Sequence, residues 1–415
     1  MRLEQLSKNL THSPFLPRLL TGVLIALVAP ISLSVLADGT NPNQSLQATH
    51  REPLNQPASI HQRIEAPKIQ IAILLDTSSS MDGLIDQTRN QLWQVVNEFS
   101  TAKQNGLTPV LEVALFEYGN NGNSKSEGFV RRLNRFTREL DKVSEGLFSL
   151  TTSGGSEYCG FAIRTAVNSL QWSRSDSDIR TIFIAGNEPF TQGPVDYQEA
   201  ARLAGLNGIS INTIHAGGHQ EGIEGGWQSG AMLAGGDYMS IDANQQVVHV
   251  VAPQDTKIAE LNAQLNETYI PYGSKGVVSA ERQREQDAQS SIISAGLLAE
   301  RAKSKSSSFY SNANWDLVDA LSEGEVEEEE LVRMEETALP EPMKGLSGRE
   351  KVEYVLGKAG ERRQIKKAIS ELSVSRDAYV ADKKREQEAA VPSMGDALTG
   401  AVKEQARQRN FVFEQ

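Results

Sequence analysis

Residues Ile69 to Leu75 form a near-continuous apolar run that ends on Asp76. Runs without polar alternation belong to strands buried on both faces of a parallel sheet. The next residues, Thr77-Ser78-Ser79-Ser80, are small and polar. Leu84, Ile85, Thr88, Leu92, Val95, Val96 and Phe99 then recur at helical spacing. A buried strand, a short polar loop and an amphipathic helix are the opening of an α/β fold.

The alternation continues. Val110 to Tyr118 reads as a strand with a short one, Phe129 to Phe136, beside it. Arg138 to Ser149 and Tyr158 to Leu170 read as helices, and Arg180 to Ala185 as a second buried strand. Val195 to Leu206 is expected as a helix, Ile209 to His215 as a strand and Gly222 to Leu233 as a short helix. Tyr238 to Val251 is expected as the last strand, and Gln254 to Thr268 as the helix that closes the domain. This order predicts a doubly wound, largely parallel sheet with helices on both faces, spanning residues 67–270.

Residues 271–415 differ in composition. Charged and helix-forming residues dominate Ser279 to Lys305 and Arg349 to Ala390, and an acidic run fills Glu323 to Glu330. Such runs are usually solvated or disordered. Val352, Val355, Leu356, Ala359, Ile365, Ile369 and Leu372 fall on one helical stripe. The segment reads as a helical extension that packs on the α/β domain, on a partner or on itself.

The N-terminus has the pattern of an export signal. Arg2, Lys8 and Arg18 precede the apolar stretch Leu19 to Leu36, and Val35-Leu36-Ala37 offers a cleavage site before Asp38. The rival reading is an uncleaved membrane anchor, since the stretch approaches the ~20 residues that span a bilayer. Pro30 and the Val-x-Ala ending favour a signal peptide over residues 1–37, followed by a polar linker over 38–66. The expected location is therefore periplasmic or secreted. The single cysteine, Cys159, excludes an internal disulfide and reads as a small buried residue at a helix start. A formal net charge of -12 argues against binding nucleic-acid phosphates.

Ligands of open α/β sheets bind where loops leave the carboxyl ends of strands. Asp76 ends the first strand, so Asp76, Ser78 and Ser80 lie on that rim. A carboxylate and hydroxyls are hard oxygen donors that suit Mg²⁺, with Mn²⁺ or Ca²⁺ as alternatives. The plainer reading of Ser80 is an N-cap of the next helix. Glycines 154 and 155 with Ser156 form a second polar loop before a helix, where Ser156 is either a ligand or a cap.

The segment Ile71-Ala72-Ile73-Leu74-Leu75-Asp76-Thr77-Ser78-Ser79-Ser80-Met81 resembles the first metal-ion-dependent adhesion motif of the von Willebrand factor A family. The element order over residues 68 to about 268, roughly half of the chain, resembles that family's fold. The resemblance implies that the two serines bind the metal directly and Asp76 acts through water. It also implies a hydroxyl from a second loop and an aspartate from a third, with one position open to a partner's Asp or Glu.

Thr151 to Glu157 resembles the second loop, with Ser156 for the usual threonine, Thr152 as an alternative donor and Glu157 as an added carboxylate. The third loop departs from the family. Ile184-Ala185-Gly186-Asn187-Glu188-Pro189 places Gly186 where the aspartate is expected, leaving Asn187 or Glu188 to reach in. One carboxylate fewer is expected to weaken attraction for a cation. This segment, with Phe190 and Gln192-Gly193, resembles an exported bacterial subgroup of the family.

Other motifs are weaker. His215 and His219 flank Gly217-Gly218 in a predicted loop and lack the glutamate of a helical zinc motif. Trp172 and Trp227 read as packing residues. No phosphate loop and no Gly-x-Ser-x-Gly elbow is present. The sequence thus predicts a metal-dependent protein-binding module, and not an enzyme. The alternative is a metal-independent scaffold whose helical tail binds the partner.

Overall fold

The computed structural model describes residues 66–242, 250–386 and 394–413. The expected signal peptide and all but the last residue of the expected linker lie outside these residues. Strand β1 (Lys68–Asp76) leads through a short turn, exposed only at Ser79 and Ser80, into α1 (Asp82–Phe99). A short β2 (Ala102–Gln104) precedes β3 (Val110–Tyr118) and the antiparallel β4 (Arg131–Thr137). Then follow α2 (Leu140–Phe148), α3 (Cys159–Ser169), β5 (Ile179–Gly186), α4 (Tyr197–Leu206) and β6 (Ser210–Ala216). Two short helices, α5 (His219–Glu224) and α6 (Trp227–Leu233), β7 (Tyr238–Ile241) and α7 (Asp255–Asn266) complete this region.

The main sheet has the order β4-β3-β1-β5-β6-β7, with only β4 antiparallel. The expected doubly wound, largely parallel fold is therefore present. Side chains of a strand alternate between faces. On one face Ile69, Ile71 and Ile73 meet α1 and α2. On the other, Ala72 and Leu74 meet α3, α4 and α6. β1 is central, pairing with β3 and β5.

Two local expectations need correction, and a third is narrowed. The single helix expected over Gly222 to Leu233 is two helices, broken where Gly226 adopts a φ of 91°. The last strand stops at Ile241, and residues 243–249 of the expected Tyr238 to Val251 strand lie outside the described residues. The acidic run is solvated, as one of its two readings has it, since its glutamates are exposed, but it is not disordered. It spans the end of α10 (Leu317–Glu323) and the start of α11 (Glu328–Arg333), where Leu331 is fully buried.

The C-terminal region is helical: α8 (Gly273–Ile293), α9 (Ala295–Ser306), α10, α11, α12 (Gly348–Glu386) and α13 (Met394–Gln408), then β8 (Phe411–Phe413). Of the three placements open from sequence, it packs both on the α/β region and on itself, the latter through a cluster that includes Leu317, Leu331, Met343 and Val355. Along α12, Val355, Arg362, Ile369 and Arg376 are buried at seven-residue intervals, and Leu356 is half exposed. Arg376 pairs with Asp255 of α7 and Glu300 of α9, and Arg362 with Asp316 and Asp319. Between α2 and α9, fully buried Arg301 pairs with Asp141 and Asp287 and lies over the Trp93 ring.

α7 packs mainly against α9 and α12, while α13 lies against α1, β5 and β6. Leu398 and Val402 of α13 share one apolar core with Ile71, Ile73, Leu92, Val96 and Phe183. β8 pairs antiparallel with β2. The helix that covers this part of the sheet thus comes from the far end of the sequence.

Candidate metal centre

The strand register brings the centre together. Asp76 of β1 is level with Tyr118 of β3, and Leu75 with Ala185 of β5, so Asp76, Tyr118 and Gly186 meet at the carboxyl rim. The first and second loops are joined by backbone bonds: Ser79 N–H donates to Gly154 O at 2.9 Å, and Ser153 N–H to Thr77 O at 3.0 Å. Gly154 N–H donates to Ser79 Oγ at 2.9 Å. Gly154 has a φ of 71°, and a Cβ there would lie 2.0 Å from Asn121 Nδ2, so this turn needs glycine.

Asp76 is fully buried. Its Oδ1 accepts the Ser78 N–H at 2.7 Å, while its Oδ2 has no partner. Ser78 is buried, and its Oγ lies 3.4 Å from that of exposed Ser80. Ser80 Oγ accepts a hydrogen bond from Asn187 Nδ2 at 3.1 Å, whereas Asn187 Oδ1 is buried without a partner. Neither serine caps a helix: α1 begins after Met81 with no side-chain cap. The N-cap reading of Ser80 is therefore set aside. So is that of Ser156, because Tyr158 stands at the N-cap of α3, again without a side-chain bond.

Ser156 forms an isolated bridge with Gly119, next to Tyr118. Thr152 turns elsewhere, donating to Asp82 Oδ1 at 2.8 Å. Glu157 is buried, and its Oε2 has no partner. Half-buried Glu188 accepts from Gln192 Nε2 at 3.2 Å, and the same Gln192 accepts the Glu157 N–H at 3.3 Å. The third loop is further tied by Trp227 Nε1–H, which donates to Glu188 O at 2.9 Å, and by His215 Nε2, 3.1 Å from Asn187 O. His215 is buried against backbone carbonyls and His219 bonds Ser240, so the two do not form a zinc pair.

Burial, and then the nearby Glu157 charge, push the Asp76 carboxyl up to about 8 against the opposing Ser78 hydrogen bonds. Burial and Glu188 push Glu157 up to about 7. Both shifts mean that burial and a neighbouring acid disfavour the charged carboxylates when no cation is beside them. Among the described residues, no cluster of three or more His, Cys, Asp or Glu side chains is arranged to hold a metal. The centre instead combines two close carboxylates with hydroxyl and amide oxygens. The unpartnered Asp76, Glu157 and Asn187 oxygens, with the Ser78 and Ser80 hydroxyls nearby, are hard donors of the kind a divalent cation such as Mg²⁺ takes.

The family model of the von Willebrand factor type A domain matches residues 70–222. This part of the chain is a domain of that family. No curated protein matches the sequence. Among solved structures, the chain is similar to proximal thread matrix protein 1 from the mussel byssus, in a form with a zinc-occupied MIDAS motif. The identity is 12% and the TM-score 0.34, covering 43% of each chain. It is also similar to the conserved hypothetical protein BatB from Bacteroides thetaiotaomicron, at 18% identity and TM-score 0.32, covering 42% of this chain and 90% of that one. The SpRpn10 VWA domain matches at 17% identity and TM-score 0.32, covering 44% and 91%. This chain thus spans less than half the length of the mussel protein.

Proposed function

We propose that the domain is a cation-dependent protein-binding module. Asp76, Ser78, Ser80 and Ser156 would hold Mg²⁺, and a partner's Asp or Glu would complete the cation's shell. The carrying observation is the set of buried acceptor oxygens without partners at the strand rim: Asp76 Oδ2, Glu157 Oε2 and Asn187 Oδ1. Unpaired buried acceptors are costly, and a cation relieves that cost. When bound, the cation would neutralise the acids and present an open position to a carboxylate. Titration of Mg²⁺, Mn²⁺ and Ca²⁺ into the full chain and its Asp76→Ala variant tests this. Binding heat in the parent and none in the variant is expected; silence in both overturns the reading.

Gly186 favours a second reading, in which the fold serves as a metal-independent scaffold and the helical tail binds the partner. Partner capture that survives both EDTA and Asp76→Ala would support it. In either case we read the chain as a binder and not an enzyme, because the sequence offers no general base in a recognisable catalytic motif. Export rests on the Leu19 to Leu36 stretch. N-terminal sequencing of the purified protein should find a start at Asp38, and an intact Met1 would point to an anchor.

A further inference from the structure

The third loop is closed to any side chain at Gly186. A Cβ there would lie 2.5 Å from the Tyr118 hydroxyl and 3.0 Å from both Cβ and Oδ2 of Asp76. Tyr118 cannot easily yield, because it is fully buried and its hydroxyl donates to Ala185 O at 3.0 Å. The charge missing from this side must come from elsewhere if the centre is to balance a divalent ion.

We propose that Glu157, from the second loop, is the second anionic ligand of the cation site and replaces the carboxylate absent at position 186. The inference rests on the cation-binding reading above. Glu157 reaches Asp76 from the side opposite Gly186. A Cβ on Gly119 would lie 2.7 Å from Asp76 Oδ1 and 2.9 Å from Glu157 Cγ, so both acids press against one backbone point. A Cβ on Gly155 would lie 2.4 Å from Glu157 Oε1 and 3.2 Å from Ser78 Cβ. Ser78 lies beside both acids: its N–H donates to Asp76 Oδ1 at 2.7 Å, and its Cβ borders the same point at Gly155 as Glu157 Oε1.

Glu157 is only 5% exposed, and among the described residues no Lys or Arg pairs with it or with Asp76. Each acid keeps one buried oxygen without a partner. Two buried acids side by side, each with an oxygen that no protein group satisfies, suit a cation. Glycines 119 and 155 make room for the Glu157 side chain, as Gly186 makes room for Tyr118. Two carboxylates match a divalent charge, so the centre regains the anionic count that Gly186 removes.

The test is calorimetric titration of Mg²⁺ into the full chain and into Glu157→Gln, Glu157→Asp, Glu188→Gln and Asp76→Ala. Mg²⁺-induced thermal stabilisation provides a second readout. Glu157→Gln should weaken Mg²⁺ by about tenfold or more, while Glu188→Gln changes it by less than about threefold. Glu157→Asp keeps the charge one methylene back and should fall between parent and Gln. It also keeps the test open should the Gln variant not fold. Parent-like affinity in both Glu157 variants, with binding lost in Asp76→Ala, overturns the role of Glu157 and leaves the cation site standing. No Mg²⁺ binding by the parent chain overturns both.

Discussion

The Tyr118 hydroxyl occupies the space that any side chain on Gly186 would need, 2.5 Å from the position of its Cβ. The two residues stand on β3 and β5, on either side of Asp76. Gly186→Asp, which restores the family's third-loop acid, should therefore destabilise the protein, by about 1–3 kcal/mol for overpacking. Adding Tyr118→Phe should recover part of that loss. Thermal melts of the single and double variants decide it, and a single variant as stable as the parent would contradict the packing account.

Asp76 and Glu157 predict how the cation-free protein responds to pH. Their folded pKa values, about 8 and about 7, lie above the ordinary 3.8 and 4.5. The folded state thus binds more protons than the unfolded state across this window. Stability in EDTA should be greatest below about pH 4 as far as these two groups are concerned, and fall as pH rises to about 8. Asp76→Asn should flatten the slope and stabilise the cation-free protein by about 1–3 kcal/mol at pH 8. Urea titrations at several pH values measure this; a parent slope of opposite sign in that window would refute it.

Arg301 should be costly to lose. It is fully buried between Asp141 and Asp287. Arg301→Met would leave both carboxylates without this partner and cost about 3–5 kcal/mol. A fall in the urea midpoint at unchanged slope is the expected result, and a change under about 1 kcal/mol would show that the pairs are dispensable.

Leu398 of α13 tests whether the C-terminal helix is structural. It is 4% exposed and packs in the core that includes Ile71 and Phe183. Leu398→Ala should cost about 2–4 kcal/mol. Removing everything after Glu386 should give a protein that binds hydrophobic dyes and melts without a sharp transition. A truncated chain that melts like the parent would show that α13 is ornamental.

Cys159 should resist thiol reagents in the native state. It is 1% exposed, and burial pushes its thiol well above the ordinary cysteine range. Labelling at neutral pH should proceed only as fast as unfolding, and prompt reaction in the folded protein would contradict the burial.

The sequence made the sheet legible where strands are buried on both faces. Ile71 to Leu75 and Ile182 to Ala185 are apolar without interruption because helices cover both sides. It was silent on β2 and β8, because Ala102–Gln104 and Phe411–Phe413 are too short to show a period and meet only in the folded chain. The rim serines were visible, but hydroxyls serve as caps and as ligands, and the structure removes the cap reading for both Ser80 and Ser156. The absence of an acid at Gly186 was equally plain. Its cause was not, because Tyr118 lies far away in sequence. The buried arginines of α12 were hidden among surface charges, since their carboxylate partners sit on other helices.

The seat of α13 also sets an order in time. Gly395 hydrogen-bonds Gln91 across 304 positions, and Val402 lies over strands made near the beginning. Closing so long a loop is entropically slow and postpones the gain from burial. A nascent chain that has already released Ile71, Ile73 and Phe183 from the ribosome still lacks the helix that covers them. Until residue 402 or so emerges, this layer of the domain stays open. Folding of the family domain is therefore a late event of synthesis, and a chain halted in α12 is an unfinished core, not a domain lacking an appendage.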